Sequence, residues 1–289
     1  MNRQAHVPPE RRALLSSGLL ALLTAVLLTA CTQGGEQGNR GLTLPPPELE
    51  DGVLRIGSDI PYPPFESYAT GSDTLTGIDV DLAQALGEEL GVEVEFVDID
   101  ADARIPALEA GQVDVIISAM TITEARRQRI DFIPYFKGGT GILVPGGNPT
   151  GIQVDTHLCL HTVAVQQATL QLDQLKALNT DLCAGEVNIR IKTFAQQDQA
   201  LAELRAGGAD AVVADYAAAL NDVRLSDGSL EVIDFQILPV TYGSGVRKGS
   251  GELKEALTGA LATLMKDGRY ENILYSWGAR AGIWKEVLS

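Results

Sequence analysis

Apolar residues recur along the chain in short runs that alternate between the spacing of β-strands and the spacing of α-helices. In residues 78–90 the apolar positions Val80, Ala83 and Leu86 fall on one helical face, and Gly91 follows them as a stop signal. The first series of runs predicts strand, helix, strand, helix and strand at residues 53–57, 78–90, 92–96, 105–110 and 113–117. This alternation is typical of a mainly parallel sheet with helices on its faces.

A second α/β series follows the first. Its strands are predicted at residues 163–165, 187–191 and 211–213, and its helices at residues 169–178 and 196–205. Two further helices, at residues 253–266 and 270–277, end the series of predicted elements. Because the two series succeed one another without a tandem repeat, we predict an α/β protein with two lobes.

The N-terminus has the pattern of an export signal. Arg11 and Arg12 precede an uncharged, mostly apolar run over residues 13–29, which predicts a signal peptide at residues 1–30. The run ends in LTAC, which resembles the bacterial lipobox, so we expect cleavage before Cys31 and a lipid on that cysteine. Two alternatives stay open. The run could serve as a transmembrane anchor, which needs about 17 to 25 residues, and the arginine pair permits twin-arginine export.

Composition separates a tether from a globular domain. Residues 31–50 are polar and broken by prolines, so they are predicted to form a flexible tether. The remainder, from Asp51, has the mixed composition of a globular protein. The formal net charge of -16 argues against nucleic acid as a partner, because a phosphate binder needs a basic face.

Cysteine usage agrees with export. With Cys31 assigned to lipid, Cys159 and Cys183 remain as an even pair in an oxidising compartment. A disulfide between them is expected to stabilise the fold by about 3 kcal/mol, and a pair of buried free thiols is the alternative. Neither cysteine has the histidine and acidic neighbours of a zinc site, so no metal or cofactor is expected.

One segment combines groups that bind a carboxylate. Residues 118–126 follow the predicted buried strand at 113–117, and ligands of open α/β sheets lie at such carboxyl ends. Thr123 is a good N-cap for a helix that contains Arg126, so free backbone N–H groups and a guanidinium are expected close together. Any one of these residues alone would indicate only a capped surface helix with solvated arginines.

Several motifs resemble those of the family 3 extracellular solute-binding proteins, which serve polar amino acid ABC importers. They are DIPYPPFE at residues 59–66, GIDVDLA at 77–83, GQVD at 111–114, TITEAR at 121–126, IDF at 130–132 and PY at 134–135. The resemblance extends from about Val53 to Trp277. It implies a two-lobed periplasmic-binding-protein-like fold of type II, in which each lobe is a mainly parallel sheet flanked by helices.

The resemblance also implies how the chain is divided. The first lobe comprises residues 51–138 and 244–289, and the second lobe, residues 139–243, is inserted into it. The two crossings, near residues 137–140 and 240–243, form the hinge. By the same resemblance the protein is a monomeric, substrate-binding component of an ABC importer, held outside the cytoplasm by its lipid anchor. It closes around an amino acid without any chemistry on it.

Residue roles follow from the resemblance position by position. Arg126 is expected to hold the ligand α-carboxylate in a bidentate pair, with hydroxyl contacts from Thr121 and Thr169. Asp215 and the backbone carbonyl of Ala119 are expected to receive the α-ammonium. The place of Asp215 directly after an apolar strand fits this role, because a carboxylate at a strand end can face a cleft.

The side chain of the ligand is expected to meet Tyr62, which would stack on it, and Asp59. Asp59 favours an amide or cationic side chain, since no positive partner for a carboxylate is evident there. A turn-stabilising aspartate before Pro61 is the alternative for Asp59. Two positions depart from the family, since Ala101 stands where many members carry an aromatic residue and Ala168 where a glycine is usual.

Other classes of protein stay open as alternatives. An enzyme of the cyclohexadienyl dehydratase type would need a general acid in the cleft, for which Glu66 and Asp59 are candidates. A receptor module or a lytic enzyme would need further domains, and a cleft that has lost its ligand could act as a scaffold.

Four further residues are interpreted as structural. Asp79 and Asp81 begin a helix, where the helix dipole favours negative charge. Trp277 and Trp284 are interpreted as packing residues and not as ligand stackers.

Overall fold

The computed structural model describes residues 45–183, 187–233 and 237–285. The strands in these residues are β1 (Val53–Ser58), β2 (Ser67–Tyr68), β3 (Leu75–Thr76), β4 (Glu93–Asp98), β5 (Val115–Ile116), β6 (Ile130–Pro145), β7 (Thr162–Gln166), β8 (Arg190–Phe194), β9 (Ala211–Asp215), β10 (Leu230–Val232) and β11 (Ile237–Arg247). The α-helices are α1 (Ile78–Leu90), α2 (Arg104–Glu109), α3 (Glu124–Arg129), α4 (Leu170–Asp181), α5 (Gln197–Arg205), α6 (Tyr216–Arg224), α7 (Gly251–Asp267) and α8 (Arg269–Ser276). Within the described residues, no helix is long and apolar enough to cross a membrane.

Each lobe is built around a set of parallel strands. In the first lobe β1 lies between β4 and β5 and is parallel to both, with Val53 opposite Glu93 and Ile56 opposite Val115. In the second lobe β7 lies between β8 and β9 and is again parallel to both. Helices connect the parallel strands, as such crossovers require. The predicted two-lobed α/β fold is confirmed, with element ends that differ by up to a few residues.

Two long strands, β6 and β11, connect the lobes. β11 pairs with β5 of the first lobe and β6 pairs with β9 of the second, and both pairings are antiparallel. β6 and β11 also pair with each other, which places Val240 opposite Gly138 and Thr241 opposite Lys137. The two segments predicted as crossings therefore lie side by side. The sheet runs from β4 to β8 with its antiparallel strands in the middle, a feature that the sequence analysis did not predict.

Apolar residues at successive strand positions pack on opposite faces of the second lobe's sheet. Ile142 and Val213 belong to a buried cluster that includes residues of α4, whereas their neighbours Leu143 and Val212 belong to a cluster that includes residues of α5. The first lobe has clusters of its own, one formed with α1 and α7 and one formed with α2. Helices therefore cover both faces of the sheet in each lobe.

The residues that precede β1 pack on the first lobe. Leu49 is buried in its core, and Glu48 accepts a hydrogen bond from the Ser250 hydroxyl at 2.5 Å. The folded part of the chain therefore includes residues 45–50, which the sequence analysis assigned to the tether. The predicted signal peptide, the lipid attachment at Cys31 and the earlier part of the tether lie outside the described residues.

A disulfide joins Cys159 to Cys183, as predicted. The two Cα atoms are 5.5 Å apart, and the bond ties the segment after the 3-10 helix Asp155–Leu158 to the end of α4. Cys183 is fully buried in the core of the second lobe. The sequence separation of 24 corresponds to a stabilisation of about 3.5 kcal/mol in the chain-entropy relation.

The C-terminal helices return to the first lobe. Trp277 Nε1 donates to Asp81 Oδ2 at 2.7 Å and so fastens the end of α8 to the start of α1. Trp284 packs against the first-lobe core, with Lys137 Nζ lying 5.3 Å from the centroid of its ring. These contacts agree with a structural role for Asp81 and both tryptophans.

Candidate functional site

A cavity lies between the lobes, and its empty space, including the part open to solvent, is about 340 Å³. All seven residues predicted to bind the ligand line it: Asp59, Tyr62, Ala119, Thr121, Arg126, Thr169 and Asp215. Seven further residues complete the lining: Arg104, Ser118, Met120, Gln166, Ala168, Leu170 and Gln171. Residues from both lobes form the wall, so the cavity is the cleft that the lobes share.

Hydrogen bonds join the two lobes across this cleft. The donor and acceptor pairs are Tyr62 Oη to Asp215 Oδ2 at 2.7 Å, Arg126 Nη2 to the Ala168 carbonyl at 2.9 Å, and Gln166 Nε2 to Asp59 Oδ2 at 2.5 Å. Each pair has one partner in each lobe. The structure therefore shows the cleft in a closed arrangement.

Arg126 is held at the start of α3 with its guanidinium in the cleft. The Thr123 side chain caps the helix by accepting from the backbone N–H of Arg126 at 3.2 Å, as predicted. Arg126 Nη1 donates to the Thr121 carbonyl at 2.7 Å. Burial and the positive charge of Arg104 lower the pKa of Arg126 to about 10, against the opposing effect of Asp215. Arg126 stays charged at neutral pH, and a partly desolvated cation favours an anionic partner.

Asp215 lies at the end of β9 and is held by donors from three elements. Its carboxylate accepts from the Tyr62 hydroxyl at 2.7 Å, from the Tyr242 hydroxyl at 2.5 Å and from Gln171 Nε2 at 2.8 Å. Burial raises the pKa of Asp215, and the three donors oppose that shift. Two of the hydrogen bonds end on Oδ1 and one on Oδ2, so Oδ2 keeps capacity for another donor.

Tyr242 reaches Asp215 because its ring passes over a glycine of the neighbouring strand β6. A Cβ at Gly138 would lie 2.4 Å from ring atoms of Tyr242, which is far inside van der Waals contact. Tyr242 is completely buried and stacks on Phe136, with ring centroids 5.4 Å apart. Sequence analysis missed this tyrosine, because strand β11 was not predicted and only the folded structure brings Tyr242 next to Asp215.

Tyr62 has a second role besides the predicted stacking on a ligand. Its hydroxyl donates to Asp215, and its ring stacks on Phe65 with centroids 6.1 Å apart. Because these contacts fix both ends of the side chain, Tyr62 is a rigid part of the cavity wall. Stacking on a ligand stays a prediction.

Asp59 bonds across the cleft and not within its own turn. Oδ2 accepts from Gln166, and Oδ1 accepts from Gln196 Nε2 at 3.0 Å; both glutamines belong to the second lobe. Burial raises the pKa of Asp59, whereas Arg104 and the two amide donors lower it. In the described residues its carboxylate accepts no hydrogen bond from the turn at Pro61, so the turn-stabilising alternative is not supported.

Arg104, the first residue of α2, is the charged group of the site that sequence analysis missed. Its Nη1 donates to the Ser118 carbonyl at 2.8 Å and to the Ser118 hydroxyl at 2.7 Å. Its Nε lies 3.4 Å from the carbonyl of the small Ala101. The expectation that no positive charge lies near Asp59 is therefore wrong. An arginine in the first turn of a short helix looks like a surface residue in sequence, so no local signal identified it.

Two alanines shape the wall through their backbone, and a threonine shapes it through its hydroxyl. Ala119 and Ala168 adopt positive φ angles of 40° and 56°, a region that favours glycine. This explains why a glycine is usual at the position of Ala168. Thr169 caps α4 by accepting from Leu172 N at 3.3 Å, and its hydroxyl donates to the Gln166 carbonyl at 2.8 Å. Its hydroxyl proton is therefore already engaged, and a ligand contact would use its remaining lone pair or its N–H.

Two buried carboxyl groups lie directly beneath this wall. The Ser118 hydroxyl donates to Glu66, and Asp79 Oδ2 accepts from the backbone N–H of Ala119 at 2.7 Å and from the Tyr135 hydroxyl at 2.8 Å. Burial raises the pKa of Glu66 well above its usual range and that of Asp79 to about 6. The remaining oxygens, Glu66 Oε2 and Asp79 Oδ1, are buried and have no hydrogen-bond partner among the described residues, and the charge of Asp79 adds to the rise in the pKa of Glu66. Asp79 therefore supports the Ala119 peptide, a role beyond the predicted helix start.

Known proteins resemble this chain over its whole folded part. The family described as bacterial extracellular solute-binding proteins, family 3, matches residues 54–280. The arginine-binding protein ArgT of Corynebacterium glutamicum is 29% identical over 97% of this chain and 96% of its own length. A solved ancestral arginine-binding protein with bound glutamine has a TM-score of 0.73 at 36% identity and covers 79% of this chain and 98% of its own. An ancestral amino acid-binding protein described as a precursor of cyclohexadienyl dehydratase has a TM-score of 0.72 at 36% identity, over 79% of this chain and 96% of its own.

Proposed function

This chain belongs to the bacterial extracellular solute-binding proteins of family 3, and from that premise we propose that it captures a polar amino acid and delivers it to an ABC importer. One observation carries the proposal: Arg126 and Asp215 line the same cavity with opposite charges, and neighbouring groups hold each side chain by hydrogen bonds. An α-amino acid presents a carboxylate and an ammonium on one carbon atom. A wall with one fixed cation and one fixed anion therefore suits both ends of the zwitterion.

Free hydrogen-bond capacity supports these assignments. Arg126 uses two of its five N–H donors on backbone carbonyls, so a bidentate pair with the α-carboxylate can form. The Thr121 hydroxyl lines the cavity, and no hydrogen bond between described residues uses it. Asp215 Oδ2 can accept from the α-ammonium, to which the carbonyl of Ala119 adds a second acceptor.

Ligand binding is proposed to select the closed cleft. The lobes are joined through β6 and β11, whose paired segments at Lys137 and Thr241 form the hinge. The contacts of one ligand with Arg126 in the first lobe and Asp215 in the second exist together only when the cleft is closed. The ligand therefore shifts the equilibrium towards closure by its differential affinity for that state, and the importer meets the closed form.

The remaining features complete the proposal. Asp59 and Tyr62 meet the side chain of the ligand, and the negative charge of Asp59 favours an amide or cationic group.

The signal peptide at residues 1–30 directs export, and a lipid on Cys31 anchors the monomeric protein outside the cytoplasm. Mass spectrometry of the mature protein tests the anchor: an acylated N-terminal Cys31 supports it, and an unmodified N-terminus contradicts it.

Neither candidate general acid supports the enzyme alternative. Glu66 is fully buried behind Ser118 and is absent from the described lining. Asp59 lines the cavity, but Gln166 and Gln196 both donate to its carboxylate. The relatives named above are binding proteins and not enzymes, so we assign solute binding without chemistry.

A thermal-shift screen against the twenty amino acids tests the proposal. The full chain is purified through unfolding and refolding, which removes bound ligand. A ligand at about 100 times its Kd adds roughly 2.7 kcal/mol to the free energy of unfolding. We expect one group of polar amino acids to raise the Tm of the native protein.

Matched variants show whether the rise depends on the cleft. Arg126→Ala should abolish it, whereas Arg127→Ala, which truncates an exposed side chain on the same helix, should keep it. If no amino acid raises the Tm, the proposal fails, and other carboxylates such as prephenate form the next panel.

A further inference from the structure

The cavity wall contains more charged side chains than the α-carboxylate and α-ammonium of an amino acid require. Among the described residues, four charged side chains line it: Arg126, Asp215, Asp59 and Arg104. The proposed function assigns Arg126 and Asp215 to the α-carboxylate and the α-ammonium. Asp59 and Arg104 remain as a second pair of opposite charge, placed to meet the side chain of the ligand.

Asp59 and Arg104 are fixed around one serine. Ser118 Oγ accepts from the backbone N–H of Asp59 at 3.1 Å and from Arg104 Nη1 at 2.7 Å. Arg104 also donates to the Ser118 carbonyl and is only 6% exposed. Burial raises the pKa of Asp59 and the charge of Arg104 opposes that shift, so the two groups interact. Both charges are therefore rigid features of the wall.

Each member of this pair keeps capacity for a ligand. Arg104 engages its Nη1 and Nε, and its Nη2 donates to no residue in the described part of the chain. Asp59 accepts one hydrogen bond at each oxygen, from Gln166 and from Gln196, and a carboxylate oxygen can accept two. The wall thus offers one charged donor and one charged acceptor to the same ligand group.

We propose that Arg104 makes the cleft selective for an amino acid with a neutral amide side chain, glutamine or asparagine. The amide oxygen accepts from Arg104 and the amide nitrogen donates to Asp59, so the ligand satisfies both. The cation of an arginine or lysine side chain would be repelled by the guanidinium of Arg104. The carboxylate of a glutamate side chain would be repelled by Asp59. The inference rests on the proposed function and narrows its ligand, since the expectation of an amide or cationic group considered Asp59 alone.

Calorimetric titration of the ligand-stripped full chain tests the inference. Glutamine, asparagine, arginine, lysine and glutamate are compared at neutral pH. We expect glutamine or asparagine to bind about tenfold or more tightly than the charged amino acids. Arginine or lysine binding as tightly as glutamine would overturn the inference and leave the proposed function intact. If none of the twenty amino acids binds, the proposed function itself is overturned.

Two variants should move the preference in opposite directions. Arg104→Gln removes the repelling cation and should raise the affinity for arginine relative to glutamine by about tenfold. Asp59→Asn removes the anion and should raise the affinity for glutamate relative to glutamine by a similar factor. Arg127→Gln removes an exposed guanidinium from α3 and should leave both ratios unchanged.

The ratios of affinity between ligands separate a role of Arg104 in selectivity from a merely structural role. If Arg104 served only to hold Ser118, Arg104→Gln would weaken every ligand by one common factor, which would overturn the inference. Should Arg104→Gln fail to fold, the Asp59→Asn ratio decides, and an unchanged preference for glutamine over glutamate in that variant would overturn the inference.

Discussion

Replacing Glu66 by glutamine should remove much of the pH dependence of stability between acidic and neutral pH. Glu66 and Asp79 are completely buried, and we expect one proton to be shared between the two of their oxygens that have no other hydrogen-bond partner among the described residues. In Glu66→Gln the amide nitrogen donates to Asp79 in place of that proton, and the amide oxygen still accepts from Ser118. The variant keeps the hydrogen bonds of the native pair without the carboxyl group of Glu66.

The sign of the pH dependence follows from the direction in which the pKa of Glu66 is shifted, and its slope follows from the one proton involved. Burial, reinforced by the charge of Asp79, raises the pKa of Glu66 well above its ordinary value of 4.5. Between 4.5 and the raised value, the folded protein holds a proton that the unfolded chain has released. The stabilising contribution is complete below the lower pKa and is lost as the pH rises towards the folded one. Within this window the free energy of unfolding falls by about 1.4 kcal/mol per pH unit for one proton.

Urea unfolding between about pH 5 and pH 8 measures this slope. We expect the free energy of unfolding of the native protein to fall relative to Glu66→Gln by about 1.4 kcal/mol per pH unit. The difference between the two proteins isolates Glu66 from the other groups that titrate. Glu88→Gln, an exposed position on α1, should keep the native slope. Parallel curves for the native protein and Glu66→Gln would refute the shared proton.

Three other changes test the frame around the site. Gly138→Ala places a Cβ 2.4 Å from the Tyr242 ring and should lower the free energy of unfolding by about 1 to 3 kcal/mol in urea titrations. Cys159→Ser should lower it by about 3.5 kcal/mol, and a reducing agent should not lower the Tm of that variant further. Tyr62→Phe removes a hydrogen bond to Asp215 that joins the lobes, so the closed state is less favoured and calorimetry should show roughly tenfold weaker amino acid binding.

Each of these changes has a matched control or a contrary outcome. Gly259→Ala, where a Cβ meets no atom within 4 Å, should not destabilise; an equal loss there would contradict the steric reason for Gly138. A Cys159→Ser protein as stable as the native one would contradict a stabilising disulfide. Tyr68→Phe alters an exposed tyrosine and should bind as the native protein does. Native affinity in Tyr62→Phe would show that its hydroxyl does not support closure.

Local features of the site were predictable from the sequence. Helix α1 has the predicted ends, because its apolar face and the Gly91 stop lie within a single stretch of chain. Thr123 caps α3 as expected, and Thr169 stands as N-cap at the start of α4, since a cap depends only on the residues that follow it. The motifs of the family then identified Arg126 and Asp215 as facing one cleft, and both line it.

The long strands and the second charged pair were not predictable in this way. β6 and β11 pass from one lobe to the other, so the surroundings of their side chains change along the strand and no single alternation marks them. Arg104 begins a short helix and looks like a surface residue, yet it is buried against Ser118. Asp79 looks like a helix-start acid, yet it is buried beneath the wall and accepts from the Ala119 N–H and the Tyr135 hydroxyl.

The sequence by itself therefore determined the order of the elements, the helix caps and the residues whose chemistry suits an amino acid. The tertiary structure alone decided how those residues are paired and charged. The Asp59–Gln166 and Tyr62–Asp215 hydrogen bonds join residues 107 and 153 positions apart. Local patterns carry no information about such pairs, because burial, pKa and hydrogen-bond partners depend on which distant segments the fold brings together.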